Sequence, residues 1–311
     1  CMQGGYYLFA FFSWFLKRCL VLTCLVFIPV SLYSQSIAQN GSSVARVHDY
    51  ILPSNGMRVL MLERPNSSFV AAGWVVNVGS VNESPGMTGI AHLFEHMMFK
   101  GTSKIGTTNY SQEKELISQQ NQIFNRIRSL RHDIEYSHQG LAKEKKEQLV
   151  QLEQQLLEKI DEHSRYIKKN HLSSIYNEHG GFGLNAYTSR DRTAYFITLP
   201  KNKLELFLYL ESQRLKDPVF REFYSEREVV KQERARNVLS KPLGLADQQF
   251  NAMFWDVMPY SWPILGWPAD VDSITLEQAR DFMQYYAPHN ITLILVGDFQ
   301  YKPTVDLIER Y

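Results

Sequence analysis

The chain of 311 residues carries 33 Lys and Arg against 32 Asp and Glu, is 44% hydrophobic and 21% charged, and contains three cysteines. That apolar content supplies a core and argues against disorder on the scale of a domain. The near-neutral charge, with no basic cluster beside stacking aromatics, argues against nucleic acid as a partner.

The chain opens with a leader-like segment. Lys17 and Arg18 precede an apolar run over 19–33, followed by small and polar residues, so residues 1–36 read as a signal peptide. The run is shorter than the roughly 20 residues of a membrane span. An uncleaved anchor would also have to use 6–15 and would leave Lys17 and Arg18 in mid-span. Val-Leu-Thr before Cys24 lacks the small residue usual before a lipidated cysteine, so no lipoprotein is expected. Cys1, Cys19 and Cys24 all fall in this segment. The remainder can form no disulfide and offers no thiolate, which leaves His and Glu as its chemistry. The expectation is an exported, periplasmic or extracytoplasmic protein that meets the membrane only through this segment.

Residues 48–52 and 57–63 predict a hairpin around Pro53-Ser-Asn-Gly56, and 69–78 a further strand. A helix is expected over 88–100, with Gly101 as its stop. The stretch 112–170 has no proline and only Gly140. Leu116, Ile123, Ile127, Leu130 and Ile134 keep a three-four spacing, as do Leu149, Leu152, Leu156, Ile160 and Ile167. It predicts two long helices folding back at 137–140, an interaction or gating arm whose excision would spare the fold. Its histidines and those nearby, His132, His138, His163, His171 and His179, are expected in solvent. Strands follow over 193–199 and 291–296, and helices over 202–216, 222–237 and 275–286. Strands and helices without regular alternation predict an α+β fold, helices packed on a largely antiparallel sheet, with the helical hairpin inserted.

Within the 88–100 helix lies Ala91-His-Leu-Phe-Glu-His-Met-Met-Phe99. Residues four apart on a helix sit above one another, so His92 and His96 can share a metal ion while Glu95 lies beside its open position. This inverted His-x-x-Glu-His order suits zinc-assisted hydrolysis, with Glu95 as proton acceptor. A catalytic zinc needs a third protein ligand, and a carboxylate on a second helix is the usual source. Residues 222–237, bracketed by Pro218 and Pro242, place Glu226 and Glu233 two turns apart on one face.

These motifs resemble the pitrilysin or insulinase family of zinc peptidases, which includes the mitochondrial processing peptidase. The resemblance implies zinc as cofactor, with His92, His96 and Glu233 as ligands, Glu95 as base and Glu226 as a support to the site. Gly180-Gly-Phe-Gly-Leu-Asn-Ala-Tyr-Thr-Ser-Arg-Asp-Arg-Thr-Ala-Tyr195 is similar to the family's glycine-rich segment before a substrate-binding edge strand. It implies that Asn185 and Ala186 contact an extended peptide substrate. Pro263-Ile-Leu-Gly266 and 290–298 look like the end of the family's first domain, so 45–311 is expected to be an N-terminal zinc peptidase domain, with 112–170 as its inserted hairpin. His96 and Glu233 lie 137 positions apart, beyond the family's usual spacing, which the hairpin accounts for. The resemblance also implies a second family domain or partner subunit that completes the peptide site. The alternatives are an unrelated metal hydrolase and a non-catalytic scaffold subunit with the hairpin as a docking arm.

Overall fold

The computed structural model describes residues 46–136 and 142–311. The leader and the turn of the helical hairpin, with His138, lie outside the described residues. Six strands form one sheet in the order β1-β2-β6-β3-β5-β4, from β1 (Val47–Ile51), β2 (Arg58–Glu63), β3 (Phe69–Val76), β4 (Phe182–Thr188), β5 (Thr193–Pro200) and β6 (Ile291–Gly297). Only β2 and β6 pair in parallel. The sheet is therefore largely antiparallel, as its sequence predicts.

Register makes one face of this sheet a core. Trp74 on β3 sits opposite Leu293 on β6 and Tyr195 on β5, and Ala72 opposite Leu295 and Ile197, while Val59 and Met61 on β2 align with Leu293 and Leu295. All of these are buried, whereas Phe69 and Phe196 on the other face are exposed. Because side chains alternate, a one-residue slip would turn this whole set toward water. The same alternation puts Ala186 and Thr188, aligned with Tyr195 and Thr193, on the buried face of β4 and Asn185 on the other.

Among the described residues ten α-helices accompany the sheet: α1 (Ile90–Met97), α2 (Tyr110–Glu135), α3 (Ala142–Ser164), α4 (His171–Glu178), α5 (Leu204–Lys216), α6 (Phe223–Arg234), α7 (Gly244–Trp255), α8 (Pro268–Ser273), α9 (Leu276–Phe282) and α10 (Tyr301–Arg310). Buried Glu211 on α5 accepts from Trp74 Nε1 at 2.8 Å, Tyr176 OH at 2.5 Å and Arg214 Nη1 at 2.6 Å, so a charge in the core is fully paired. Arg214 Nε donates to the Met98 carbonyl at 2.8 Å and ties α5 to the end of α1.

Helices α2 and α3 run antiparallel, with Arg131 paired to Glu153 and Gln120 donating to the Lys159 carbonyl. The expectation that this hairpin stands apart from the fold is corrected at its base. Leu116, Ile117, Phe124 and Ile127 are buried, the Phe124 ring lies 4.7 Å from that of Tyr224 on α6, and Arg227 sits over Phe124 at 4.2 Å. The first turns of α2 are the bed on which α6 rests. Removing all of 112–170 would strip that bed, while the distal turns carry exposed Tyr136 and Val150.

His163 corrects a second expectation. It is 2% exposed, hydrogen-bonded through Nε2 to Glu113 at 3.0 Å and through Nδ1 to Gln120 at 3.1 Å. His171 is partly buried and accepts from Gly106 N at 3.0 Å, while His132 and His179 are exposed as expected. Glu113 also accepts from buried Arg221, at 2.7 and 2.9 Å. Arg221 further donates to the carbonyls of Thr102, Ile105 and Lys100, pinning the loop after α1 to the hairpin base. Arg221→Met would leave Glu113 buried without its guanidinium, and a loss of about 3–5 kcal/mol is expected from urea denaturation of the domain. A change below about 1 kcal/mol would show that the network is not what seats the hairpin.

Candidate metal centre

Backbone strain and buried carboxylates set the start of α1. Its N-cap is Gly89 at φ +91, which offers no side chain to cap the first N–H groups. Glu83 supplies the acceptors instead: its two oxygens take Gly89 N and Ala91 N at 2.9 Å each. Burial pushes the Glu83 carboxyl up to about 8, against the pull of those two N–H groups. Asp270 Oδ2 on α8 accepts from Gly86 N, Thr88 N and Thr88 Oγ1. Gly89 also meets Gly266, at φ +74, backbone to backbone: a Cβ on Gly266 would lie 2.2 Å from the Thr88 carbonyl oxygen and 2.7 Å from Gly89 Cα. The helix is shorter than the expected 88–100, because Gly89 leaves the helical region and Met98 to Lys100 form a separate turn before Gly101 at φ +85.

On this short helix His92 and His96 lie one turn apart with ring centroids 4.7 Å apart. Glu233 reaches them from α6: its Oε2 is 3.7 Å from His92 Nε2 and 3.6 Å from His96 Nε2. One ligand atom from each residue lies within 4.8 Å of the other two, and no other such group of three or more His, Cys, Asp or Glu occurs among the described residues. Tetrahedral zinc with bonds of about 2.0–2.2 Å holds its ligand atoms roughly 3.3–3.6 Å apart. Two imidazole nitrogens and one carboxylate oxygen at these separations fit that ion, with a fourth position left toward the cleft. The chemistry of the donor set fits as well, since nitrogen with one carboxylate is a zinc set and not a calcium one.

The charge state of each group follows from its surroundings. Burial, with His96 adding, drives His92 down to about 3, so its ring is neutral and offers a lone pair. Partial burial would lower His96 as well, but the bond and charge of Glu226, with Glu95 and Glu233, carry it above the ordinary histidine range. Burial raises the Glu226 carboxyl, yet His96 and Lys100 win and hold it below the usual carboxylate range. Ionised Glu226 can only accept, so the 3.0 Å contact is a hydrogen bond from His96 Nδ1–H, and Nε2 is the free donor atom facing Glu233. Burial raises Glu95, against a 2.5 Å hydrogen bond from Thr188 Oγ1.

Several contributors were not singled out from sequence. Thr188 falls in the Asn185-Ala-Tyr-Thr188 run, but only β4 docked beside α1 brings its hydroxyl to Glu95. Lys100 donates to Glu226 Oε1 at 2.6 Å and to Glu222 Oε2 at 2.9 Å. Beyond α6 the chain makes one π turn, Ala235–Leu239, in place of the continuous helix expected over 222–237. Within it Asn237 Nδ2 donates to Glu233 Oε1 at 3.2 Å, leaving Oε2 toward the histidines.

The site opens into a cleft of about 1120 Å³. One side is β4, which among the described residues pairs only with β5 and presents its other edge; Asn185, Ala186, Tyr187 and Thr188 all line the cleft. Asn185 Oδ1 accepts from Ala186 N at 2.9 Å. Leu243, Asn251, Trp262 and Leu265 also line the cleft. The structure thus brings His92, Glu95, His96, Glu226 and Glu233 together, with Asn185 and Ala186 on the same cleft.

The family model for insulinase, peptidase family M16, matches residues 58–149 and 155–266. The chain belongs to this family. Among curated relatives, the zinc protease PqqE of Helicobacter pylori is 25% identical over 286 residues, covering 91% of this chain and 50% of that one. Human insulin-degrading enzyme is 24% identical over 189 residues, covering 60% of this chain and 12% of that one. Of solved structures, a protease from Helicobacter pylori superposes with a TM-score of 0.61 at 23% identity over 86% of this chain and 50% of that one. The first half of the periplasmic protease PqqL from Escherichia coli superposes at 0.58 with 21% identity, covering 85% and 45%. These structures share the fold. This M16 chain spans half the length of the Helicobacter zinc protease it matches.

The contact of Gly266 with Gly89 generates a direct expectation. Gly266→Ala puts a Cβ into backbone atoms at a positive φ, which costs about 1–2 kcal/mol before the clash is counted. A drop of at least about 2 kcal/mol in denaturation is expected, together with weaker zinc retention measured by chelator competition. Unchanged values in both would show that this contact does not seat α1.

Proposed function

We propose that this M16 chain is a zinc-dependent endopeptidase domain acting on extended peptides, in which His92, His96 and Glu233 hold the metal and Glu95 is the general base. The reading is carried by the convergence of two imidazole Nε2 atoms and the Glu233 oxygen, 3.6 and 3.7 Å apart across two helices, with a buried carboxylate beside them. Zinc bound there would supply Lewis acidity and an acidified water at neutral pH. Glu95 takes the proton of the attacking water and returns it to the departing amine. Its raised pKa matches a group that must both accept and release a proton, and Thr188 fixes which oxygen is free to do so. Glu226 orients His96 through Nδ1, and Asn237 orients Glu233.

The unpaired edge of β4 beside this centre supports peptide capture by strand addition at Asn185 and Ala186. Backbone pairing grips any extended chain and leaves selection to side-chain pockets. The complete set of four site residues on α1 and α6 favours the enzyme over a scaffold role. A peptide is attacked efficiently only when held in line with its oxyanion stabilised. The double length of the Helicobacter relative supports a second family domain or subunit closing over this cleft. We place the protein outside the cytoplasm, exported by residues 1–36, and take the distal part of the hairpin as an elaboration inserted within a domain spanning 45–311. No helix among the described residues is long and apolar enough to cross a membrane.

Two substitutions separate metal binding from proton transfer. Glu95→Gln is expected to retain one zinc per chain and lose about 10²–10⁴-fold in turnover. Glu233→Gln is expected to lose zinc on dialysis against chelator. Measured by metal analysis beside peptide cleavage, with the partner domain present where it is needed, near-normal turnover in Glu95→Gln would refute its role. Unchanged zinc content in Glu233→Gln would remove that residue from the ligands.

A further inference from the structure

One charged side chain behind the candidate metal centre has no assigned role. Glu226 and Glu233 lie against His96, Glu233 also against His92, and Glu95 shares the helix of both histidines, while Glu222 stands at the head of α6. Lys100, half-buried, is the cation that the described structure places directly on Glu222 and Glu226. It comes from the turn after α1, four residues beyond His96, with its own backbone carbonyl held by Arg221. Its ammonium bonds Glu226 Oε1 at 2.6 Å while the other oxygen of that carboxylate takes His96 Nδ1 at 3.0 Å. Glu222, at φ +59 at the head of α6, takes a second ammonium hydrogen at 2.9 Å.

We infer that Lys100 is a positioning residue for the metal centre: it fixes the rotamer of Glu226, which in turn fixes the His96 ring so that Nε2 faces Glu233. The inference rests on the zinc reading above and names how one ligand is held. The geometry supports it directly. A carboxylate with one oxygen free could swing and take His96 with it, whereas Lys100 and His96 together occupy both oxygens. A bond to the other ring nitrogen is what orients a metal-binding histidine. Lys100 touches neither the ligand atoms nor the cleft, so its action runs through Glu226.

The test is a double-mutant cycle in zinc affinity, read on the metal-free protein by competition with a chromophoric chelator. Lys100→Met is expected to weaken zinc by about 10–100-fold, the range for loss of a group that orients a ligand. Glu226→Gln should do the same, and adding Lys100→Met to Glu226→Gln should cost little more, because the two act in one line. Lys100→Arg should recover part of the affinity by restoring the cation. The visible absorption of the cobalt-loaded protein should shift in Lys100→Met but not in Glu222→Gln, which removes only the lysine's outer partner. Additive losses in the double variant, or full affinity in Lys100→Met, would overturn the inference while leaving the zinc reading intact. Failure of the unsubstituted protein to bind zinc would overturn both.

Discussion

Glu226 accepts from His96 on one oxygen and from Lys100 on the other, and this clamp joins the two helices that carry every candidate ligand. Apolar packing between α1 and α6 sets their distance but not the rotation of a ring. The clamp is costly in isolation, since it places a carboxylate and an ammonium in a largely buried setting. Hydrogen bonding on each oxygen and a second carboxylate on the lysine offset that cost. A ligand set of about tetrahedral dimensions then follows, because Glu233 lies two turns beyond Glu226 on the same face of α6.

The rest of the molecule holds these two helices in place. Glu83 and Asp270 cap and brace the head of α1, Gly89 and Gly266 allow its backbone to come against the 263–266 loop, and Arg221 fixes the loop behind it. Arg221 also reaches Glu113, so the base of the helical hairpin and the metal helix share one buried ion-pair network. The hairpin is therefore part of the support for α6 at its base, and a projecting element only beyond it.

The sheet contributes through register. Among the described residues β5 alone pairs with β4, which makes β4 an edge, and the pleat that buries Tyr195 puts Thr188 on the same face, against Glu95. One strand so presents a backbone edge to the cleft and a hydroxyl to the proposed base. Helix α7, which also lines the cleft, contains no buried residue and exposes Phe250, Met253 and Phe254. It shows no buried apolar stripe and no capping side chain, which is why periodicity did not reveal it.

The sequence by itself determined the elements whose cause is local. The His92 to His96 spacing, the Glu226 to Glu233 spacing, the apolar runs at 69–76 and 291–296, and the turn at Pro53 to Gly56 each rest on helical or extended geometry within a few residues. Glu233 as a candidate third ligand is implied by the resemblance of these motifs to a zinc peptidase family and by no local geometry. Tertiary structure alone decided the contacts between distant segments, Lys100 on Glu226 and Thr188 on Glu95, and the three-dimensional course of the chain decided the nearer ones, Asn237 on Glu233 across a π turn and Glu83 on the head of α1. It decided that His163 is a buried partner of Glu113 and not a surface residue, since a histidine in a polar helix looks the same from sequence whether its neighbour is water or a carboxylate from another helix. A polar side chain finds its partner through the packing of the chain, and no local period records which partner that is.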